Sequence, residues 1–258
     1  MGNNMDALDQ ASIRLPGIEV RILARCASTN SALLAERIAA PVLLAAEEQT
    51  AGRGRRGRRW LSAPGRDLTF SFARRLGRPA RELAALSLVA GVAVTQALRS
   101  LGVAQAAIKW PNDVLAGDAK LGGILVETRL SGRTSVAVVG VGINYRSDPQ
   151  RARRTRRRVA FLEELLPNLP SRNEAIERIG LALLQALDAF ERHGFEAVRE
   201  DWLALHAHAG RKLRVRLADG RTVTGIAAGL EQDGGLRLET RSGPRAVRSG
   251  QVLSARSA

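Results

Sequence analysis

Residues 52–60 read Gly52-Arg53-Gly54-Arg55-Arg56-Gly57-Arg58-Arg59-Trp60, three glycines set among five arginines. Glycine lets a backbone approach a ligand closely and take up positive φ. Amides in such a turn cradle an anion, and guanidinium groups bind phosphate or carboxylate through paired hydrogen bonds. The run is not a P-loop, because G-x-x-x-x-G-K-[ST] is absent. The competing reading is a solvated basic loop or an RNA-binding tract, since charge runs are commonly solvated. Its place between two apolar segments, 42–48 and 68–74, favours a functional loop.

A second chemical segment is Lys109-Trp110-Pro111-Asn112-Asp113, followed by Lys120-Leu121-Gly122-Gly123-Ile124. Pro111 interrupts a strand and re-aims the chain. Asn112 and Asp113 present oxygens of the kind a hydrated Mg2+ accepts. Gly122 and Gly123 remove side chains where a ligand would pass the backbone. Of 40 basic residues only Lys109, Lys120 and Lys212 are lysine. Where arginine serves as the generic cation, a retained lysine points to a chemical reason. An ordinary hairpin carrying a surface lysine is the alternative, and it weighs less on Lys120 than on Lys109.

Other features carry less. Cys26 adjoins Ser28-Thr29-Asn30 and invites a thioester mechanism, but a lone buried cysteine is the favoured reading. His206 and His208 lack further ligand-type neighbours at zinc spacing. Gly140-Val141-Gly142 is a dinucleotide fingerprint without its third glycine. Phe195 and Trp202 read as core.

The elements that must position these groups follow from periodicity. Strands are expected over 18–24, 42–48, 68–74 and 134–145, and a strand pair over 107–115 and 120–130 around the turn AGDA. Ser28 or Thr29 caps a helix over 30–37. A long apolar helix spans about 80–101, and an arginine-rich loop over 146–158 leads to helices near 159–166, 171–192 and 195–207. After Gly210 come short alternating strands over 212–217, 221–228, 235–240 and 244–248, a small all-β module with the look of an SH3-like barrel. The expected fold is α+β, a mixed, largely antiparallel sheet with helices, in two domains: residues 1–208 catalytic and 209–258 the β module.

The 258 residues are 45% apolar and carry a formal net charge of +15. The charge invites a nucleic-acid reading, but only 3% of the chain is aromatic, whereas single-strand binders interleave aromatics with basic residues. No stretch reaches 18 residues without a charge, so no transmembrane helix and no membrane partner are expected. The N-terminus lacks a signal-peptide layout, and a single cysteine excludes an intramolecular disulfide. A cytoplasmic protein fits these features.

Taken in order and spacing, Ser28-Thr29-Asn30, Gln49, the 52–60 run, Lys109 to Asp113, Lys120 to Ile124 and Gly140-Val141-Gly142-Ile143-Asn144 resemble the biotin protein ligases. The likeness covers roughly residues 18–145, and the C-terminal β module extends it to nearly the whole chain. The resemblance implies a class II synthetase-like catalytic domain with a C-terminal SH3-like barrel. It implies ATP-dependent activation of biotin to biotinyl-adenylate and transfer to a lysine of a biotin carboxyl carrier protein of acetyl-CoA carboxylase. It also implies roles: Ser28, Thr29, Asn30, Gln49, Arg53, Gly54, Arg55, Lys120, Gly123 and Gly142 at biotin; Arg53, Arg55, Arg56, Trp60, Lys109, Asn112, Lys120 and Asn144 at ATP or the adenylate. Lys120, Arg53 and Asp113 are the candidates for the chemistry itself, with Asn112 and Asp113 toward Mg2+.

Residues 151–158 depart from the family pattern, with six arginines in eight positions, and a solvated loop is the favoured reading. About 17 residues precede the first strand, too few for the helix-turn-helix domain of some members. An enzyme of the compact kind, with no specific DNA target, is therefore expected. The oligomeric state, a homodimer included, is left open. The rival readings are a lipoate or octanoate ligase or transferase of the same fold and, more remotely, a basic nucleic-acid-binding protein. The 52–60 run and Ser28-Thr29-Asn30 favour biotin.

Overall fold

The structure is a computed structural model that describes residues 6–131, 134–148 and 158–257. The arginines expected to form a solvated loop over 151–157 lie outside the described residues.

Strands β1 (Glu19–Cys26), β2 (Val42–Gln49), β3 (Asp67–Leu76), β4 (Ala106–Lys109), β5 (Asp113–Ala116), β6 (Ala119–Ser131) and β7 (Thr134–Asn144) form one sheet in the order β1-β2-β3-β7-β6-β5-β4. Only the β1–β2 pair is parallel; the other neighbours are antiparallel. The expected mixed, largely antiparallel sheet is therefore present.

Side chains alternate across a strand, and here both faces are covered. Leu43, Ala45, Phe70, Phe72, Ala137 and Val139 join the main core, beneath α2 (Leu86–Ser100), α4 (Arg172–His193) and α5 (Glu196–Leu205). Val42, Leu44, Ala73, Val136 and Val138 form a smaller cluster with Leu33 of α1 (Thr29–Ala35). The Ser28 hydroxyl accepts from the Ser31 amide and caps α1, as an N-cap serine does. A short helical turn, α3 (Leu162–Leu165), precedes α4.

The expected apolar helix is present, and one strand expectation changes. The stretch Glu82–Ser100 is long and apolar enough to cross a membrane by length and composition, and most of it is buried inside the protein. Its apolar character thus matches a core helix clamped between the sheet and α4. The single strand expected over 107–115 is two strands, β4 and β5, folded back on each other with Lys109 opposite Asp113. Pro111 has no amide hydrogen to give a ladder, and the chain reverses there. The reversal sets Asp113 beside β6, opposite Gly123.

The C-terminal module is a five-stranded antiparallel sheet in the order β11-β10-β9-β8-β12. Its strands are β8 (Lys212–Leu217), β9 (Thr222–Leu230), β10 (Leu236–Thr240), β11 (Gly243–Val247) and β12 (Gly250–Arg256). Four match the sequence expectation. The fifth, β12, was not expected, and it pairs with β8 at the sheet edge. Trp110, 2% exposed, donates its indole N–H to the Gly234 carbonyl at 3.3 Å and so fastens the β4–β5 turn to this module.

Candidate active site

A cleft of about 450 Å³ opens on the α1 side of the sheet, and every residue nominated for binding or chemistry lines it. The alternation of β7 explains the groove. On this face β7 reads Val136, Val138, Gly140, Gly142, Asn144. The valines pack under α1, and the glycines then leave room. A Cβ on Gly140 would stand 2.2 Å from Asn30 Oδ1, and one on Gly142 would stand 2.4 Å from the Trp60 ring.

One end of the cleft is polar and neutral. Ser28, Thr29 and Asn30 are each only 3% exposed. Gln49 Oε1 accepts the Thr29 amide at 2.8 Å and lies 3.2 Å from Thr29 Oγ1. Ser71 Oγ lies 2.6 Å from Asn30 Oδ1 and 2.7 Å from Thr29 Oγ1. A hydroxyl has one hydrogen. Asn30 Oδ1 can only accept, so it takes the Ser71 hydrogen, and the Thr29 hydrogen serves Ser71 or Gln49. The Asn30 amide donates to Leu125 O at 3.1 Å and to Glu127 Oε2 at 3.0 Å. Sequence reasoning missed Ser71 and Glu127. Ser71 had a signal: a lone hydroxyl between Phe70 and Phe72 in a strand that alternates faces.

The Gly/Arg run is a β-hairpin. Trp60 N donates to Gly52 O at 2.9 Å and Gly54 N to Arg58 O at 2.7 Å, with Arg53 and Arg59 bridged between them. Its tip places Arg56 at φ 58° and Gly57 at φ 70°, consecutive positive values that make a type I′ turn. Arg56 is the one non-glycine residue with positive φ among the described residues, a local strain of the kind that gathers at functional loops. The hairpin lays the Trp60 ring on Gly142 and 5.8 Å from Lys120 Nζ. The arginines, alike in sequence, go to different places. Arg53 is turned onto Glu127 at 2.8 Å. Arg55 approaches Asn112 Oδ1 at 3.5 Å. Burial, then the charge of Arg56, lowers the Arg55 guanidinium below the usual arginine range, against the opposing pull of Asp113.

The other end is charged. Lys120 Nζ and Asp113 Oδ1 form an ion pair. The Lys120 backbone is fixed on both sides: its N–H donates to Arg158 O, its carbonyl accepts the Ala160 amide, and Asn144 Nδ2 donates to the carbonyls of both Lys120 and Ala160. Asn112 is pinned reciprocally to Ile124, through Nδ2 to Ile124 O at 2.8 Å and through its own carbonyl to the Ile124 amide at 2.9 Å. Lys109 lines the wall nearby. Gly250, Gln251 and Val252 of β12 also line the cleft, and Arg58 donates to Gln251 Oε1. No sequence signal found them, because β12 itself went unrecognised.

Among the described residues no three His, Cys, Asp or Glu side chains cluster as a metal site. Asn112 and Asp113 offer one amide oxygen and one carboxylate, the latter shared with Lys120. That set fits a Mg2+ ion brought in on nucleotide phosphates, which needs only one or two protein oxygens. Cys26 is half-buried, and burial raises its thiol pKa, which keeps it protonated and a poor nucleophile. Phe195 and Trp202 are buried as expected.

Comparison with known proteins gives a consistent result. A family model described as the Biotin/lipoate A/B protein ligase family matches residues 23–144, and one described as the Biotin protein ligase C terminal domain matches residues 208–253. The chain is 36% identical over 232 residues to the bifunctional ligase/repressor of Escherichia coli (strain K12), covering 88% of this chain and 71% of that one. It is 33% identical over 246 residues to the biotin–[acetyl-CoA-carboxylase] ligase of Mycobacterium tuberculosis, covering 92% and 90%. The solved biotin protein ligase of Aquifex aeolicus in complex with biotin and ATP superposes with a TM-score of 0.78 at 30% identity, covering 93% and 99%.

Proposed function

The chain belongs to the biotin protein ligase family, and on that premise we propose that it activates biotin with ATP and transfers it to a lysine of the carrier subunit of acetyl-CoA carboxylase. The observation that carries this reading is a single cleft joining a buried, neutral, hydrogen-bonding end to an end lined by Arg55, Lys120 and the hairpin. The first end suits the polar ureido ring. The second suits a carboxylate meeting a phosphate.

The biotin carboxylate attacks the α-phosphate of ATP; the P–O bond to pyrophosphate breaks, and biotinyl-adenylate forms. A carrier lysine then attacks the acyl carbon, and AMP leaves with the bonding electrons. The first step brings two anions together, so preorganised cations and amides must offset their repulsion. Lys120 is held by Asp113 and by the Asn144 amide at the point where the two anions meet, and Arg55 supplies a half-buried cation above it. Asn112 and Asp113 are the residues that would hold a Mg2+ brought in with ATP, and the ion would neutralise part of the phosphate charge. The mixed anhydride hydrolyses readily, and the hairpin with Trp60 excludes water from it.

The remaining assignments belong to the same reading. Residues 1–208 form a class II synthetase-like catalytic domain, and residues 209–258 an SH3-like barrel. Arg53, paired with Glu127, serves the loop in place of the roles at biotin, the nucleotide and the chemistry for which it was nominated. The other nominated residues keep their roles: Ser28, Thr29, Asn30, Gln49, Gly54, Arg55, Lys120, Gly123 and Gly142 at biotin; Arg55, Arg56, Trp60, Lys109, Asn112, Lys120 and Asn144 at the nucleotide. The protein works in the cytoplasm with no specific DNA target.

The test is direct. Purified protein with biotin and ATP should release pyrophosphate only when biotin is present, and should label one lysine of a carrier domain. Lipoate or octanoate should not replace biotin. Activation of either, with biotin inert, would overturn the reading in favour of the related acyl ligases.

A further inference from the structure

We propose that Glu127 is the latch of the Gly/Arg hairpin, a positioning residue that ties loop closure to the neutral end of the cleft. Glu127 stands on β6, on the same face as Gly123 and Leu125. One carboxylate oxygen pairs with Arg53 Nη2 at 2.8 Å, and the other accepts from Asn30 Nδ2 at 3.0 Å. Arg53 also donates to Ser31 Oγ at 3.2 Å, one residue after Asn30 on α1. The base of the hairpin is thus fastened to the wall that carries Asn30.

The chemistry explains why a carboxylate is needed. Five arginines within seven residues repel one another and oppose any closed arrangement. A carboxylate at the hairpin base offsets that repulsion where closure begins. It shares its second oxygen with Asn30, whose remaining partners are Ser71 and Leu125. A ligand that steadies Asn30 therefore steadies Glu127 and, through Arg53, the loop. Glu127 itself touches none of the reacting groups. A partly exposed pair contributes little to global stability, so its loss should appear in loop protection and ligand retention, not in melting temperature.

Glu127→Gln keeps an acceptor for Asn30 and removes the charge, which makes it the variant to use. Without any ligand, trypsin should cleave the full-length variant after Arg55 and Arg56 several-fold faster than the parent, at an unchanged Tm. Arg53→Gln should do the same, and the double variant should be no worse than either single one, since both remove one interaction. Equal cleavage rates in parent and Glu127→Gln, or additive effects in the double variant, would overturn the latch. These arms do not depend on what the protein binds. The kinetic arm does rest on the biotin-activating reading: KM for biotin should rise several-fold and adenylate should leave sooner, with kcat for pyrophosphate release nearly kept. A parent that makes no adenylate defeats that reading and leaves the proteolysis to judge the latch. An equal fall in kcat with KM unchanged defeats the latch alone.

Discussion

The two ends of the cleft satisfy their polar groups in opposite ways. At the neutral end Thr29, Asn30, Gln49 and Ser71 are buried or half-buried and hydrogen-bond chiefly to one another. Such a network is stiff before any ligand arrives. At the charged end Lys120 has Asp113, but Arg55 is half-buried with no ion pair within 4 Å among the described residues, and burial depresses its pKa. A buried cation short of a partner is destabilised until an anion joins it. The difference implies a division of labour: the neutral end selects and orients, and the charged end gains most of its stabilisation as negative charge gathers on the phosphate.

The largest test of that division is Lys120→Arg. The substitution keeps the charge but replaces a compact ammonium with a planar fork. Pyrophosphate release at saturating biotin should fall about 10²–10³-fold, the scale for a lost electrostatic donor. Near-normal turnover would mean that charge alone, not lysine geometry, defines this end. Arg55→Ala comes next. Adenylate should still form, but it should escape about 100-fold faster, because the cation above it is gone. Labelling of bystander lysines in a mixture, or loss of adenylate on rapid gel filtration, reads this out. Tight retention by the variant would remove Arg55 from the closing surface.

Thr29→Val probes the neutral end. Removing the hydroxyl takes one hydrogen from either Ser71 or Gln49, whose bond to the residue-29 backbone amide remains, a loss of about 1–2 kcal/mol, so KM for biotin should rise about 10-fold with kcat nearly unchanged. A fall in kcat instead would show that the two ends do not act separately.

The smallest effect falls on the frame behind the charged end. His206 packs on Trp202 with ring centroids 4.5 Å apart, and its neighbour in sequence, Ala207, donates to the Ile108 carbonyl, one residue before Lys109. Burial, then the proximity of His208, pushes His206 down to about 4; burial, then Lys109, does the same for His208. The folded state thus holds both neutral, while an unfolded histidine titrates at about 6.5. Stability is complete above that value and is lost as pH falls from it toward 4. By about pH 5.5 the loss is about 1 kcal/mol per histidine. The urea midpoint should drop accordingly between pH 7.5 and 5.5, and His208→Gln should flatten the dependence. A midpoint that does not move would mean that the two histidines titrate alike in the folded and unfolded states, and one that rises would mean that they are already protonated in the fold.

Much of this site was legible in the residues. The glycine-arginine run, the retained lysines, Asn112 and Asp113, and the glycines of β6 and β7 are unusual in type and close in sequence, so each segment announced itself. Ser71 and Glu127 did not. Each is an ordinary polar residue on a long strand, made relevant by what the sheet places next to it. The strand pattern was readable wherever apolar and polar residues alternated over enough length. It failed at the β4–β5 turn, where a four-residue strand on either side of Pro111 is too short to show a period, and at β12, where Gly250, Ser254 and Ala255 blur the alternation.

The sequence by itself determined which chemical groups the protein can bring to bear and which segments carry them, because residue type and local spacing are enough for that. The tertiary structure alone decided how they divide the work. The Lys120–Asp113 pair exists because a chain reversal at Pro111 returns Asp113 to β6. Five arginines with the same chemistry part company because a type I′ turn closes their hairpin, sending Arg53 to Glu127 and Arg55 toward Asn112. A C-terminal strand reaches the cleft because Trp110 anchors its module there. The Arg53–Glu127, Arg55–Asn112 and Trp110–Gly234 contacts join segments far apart in the chain, and the Lys120–Asp113 pair, though only seven residues apart, needs the reversal at Pro111; local periodicity encodes none of them.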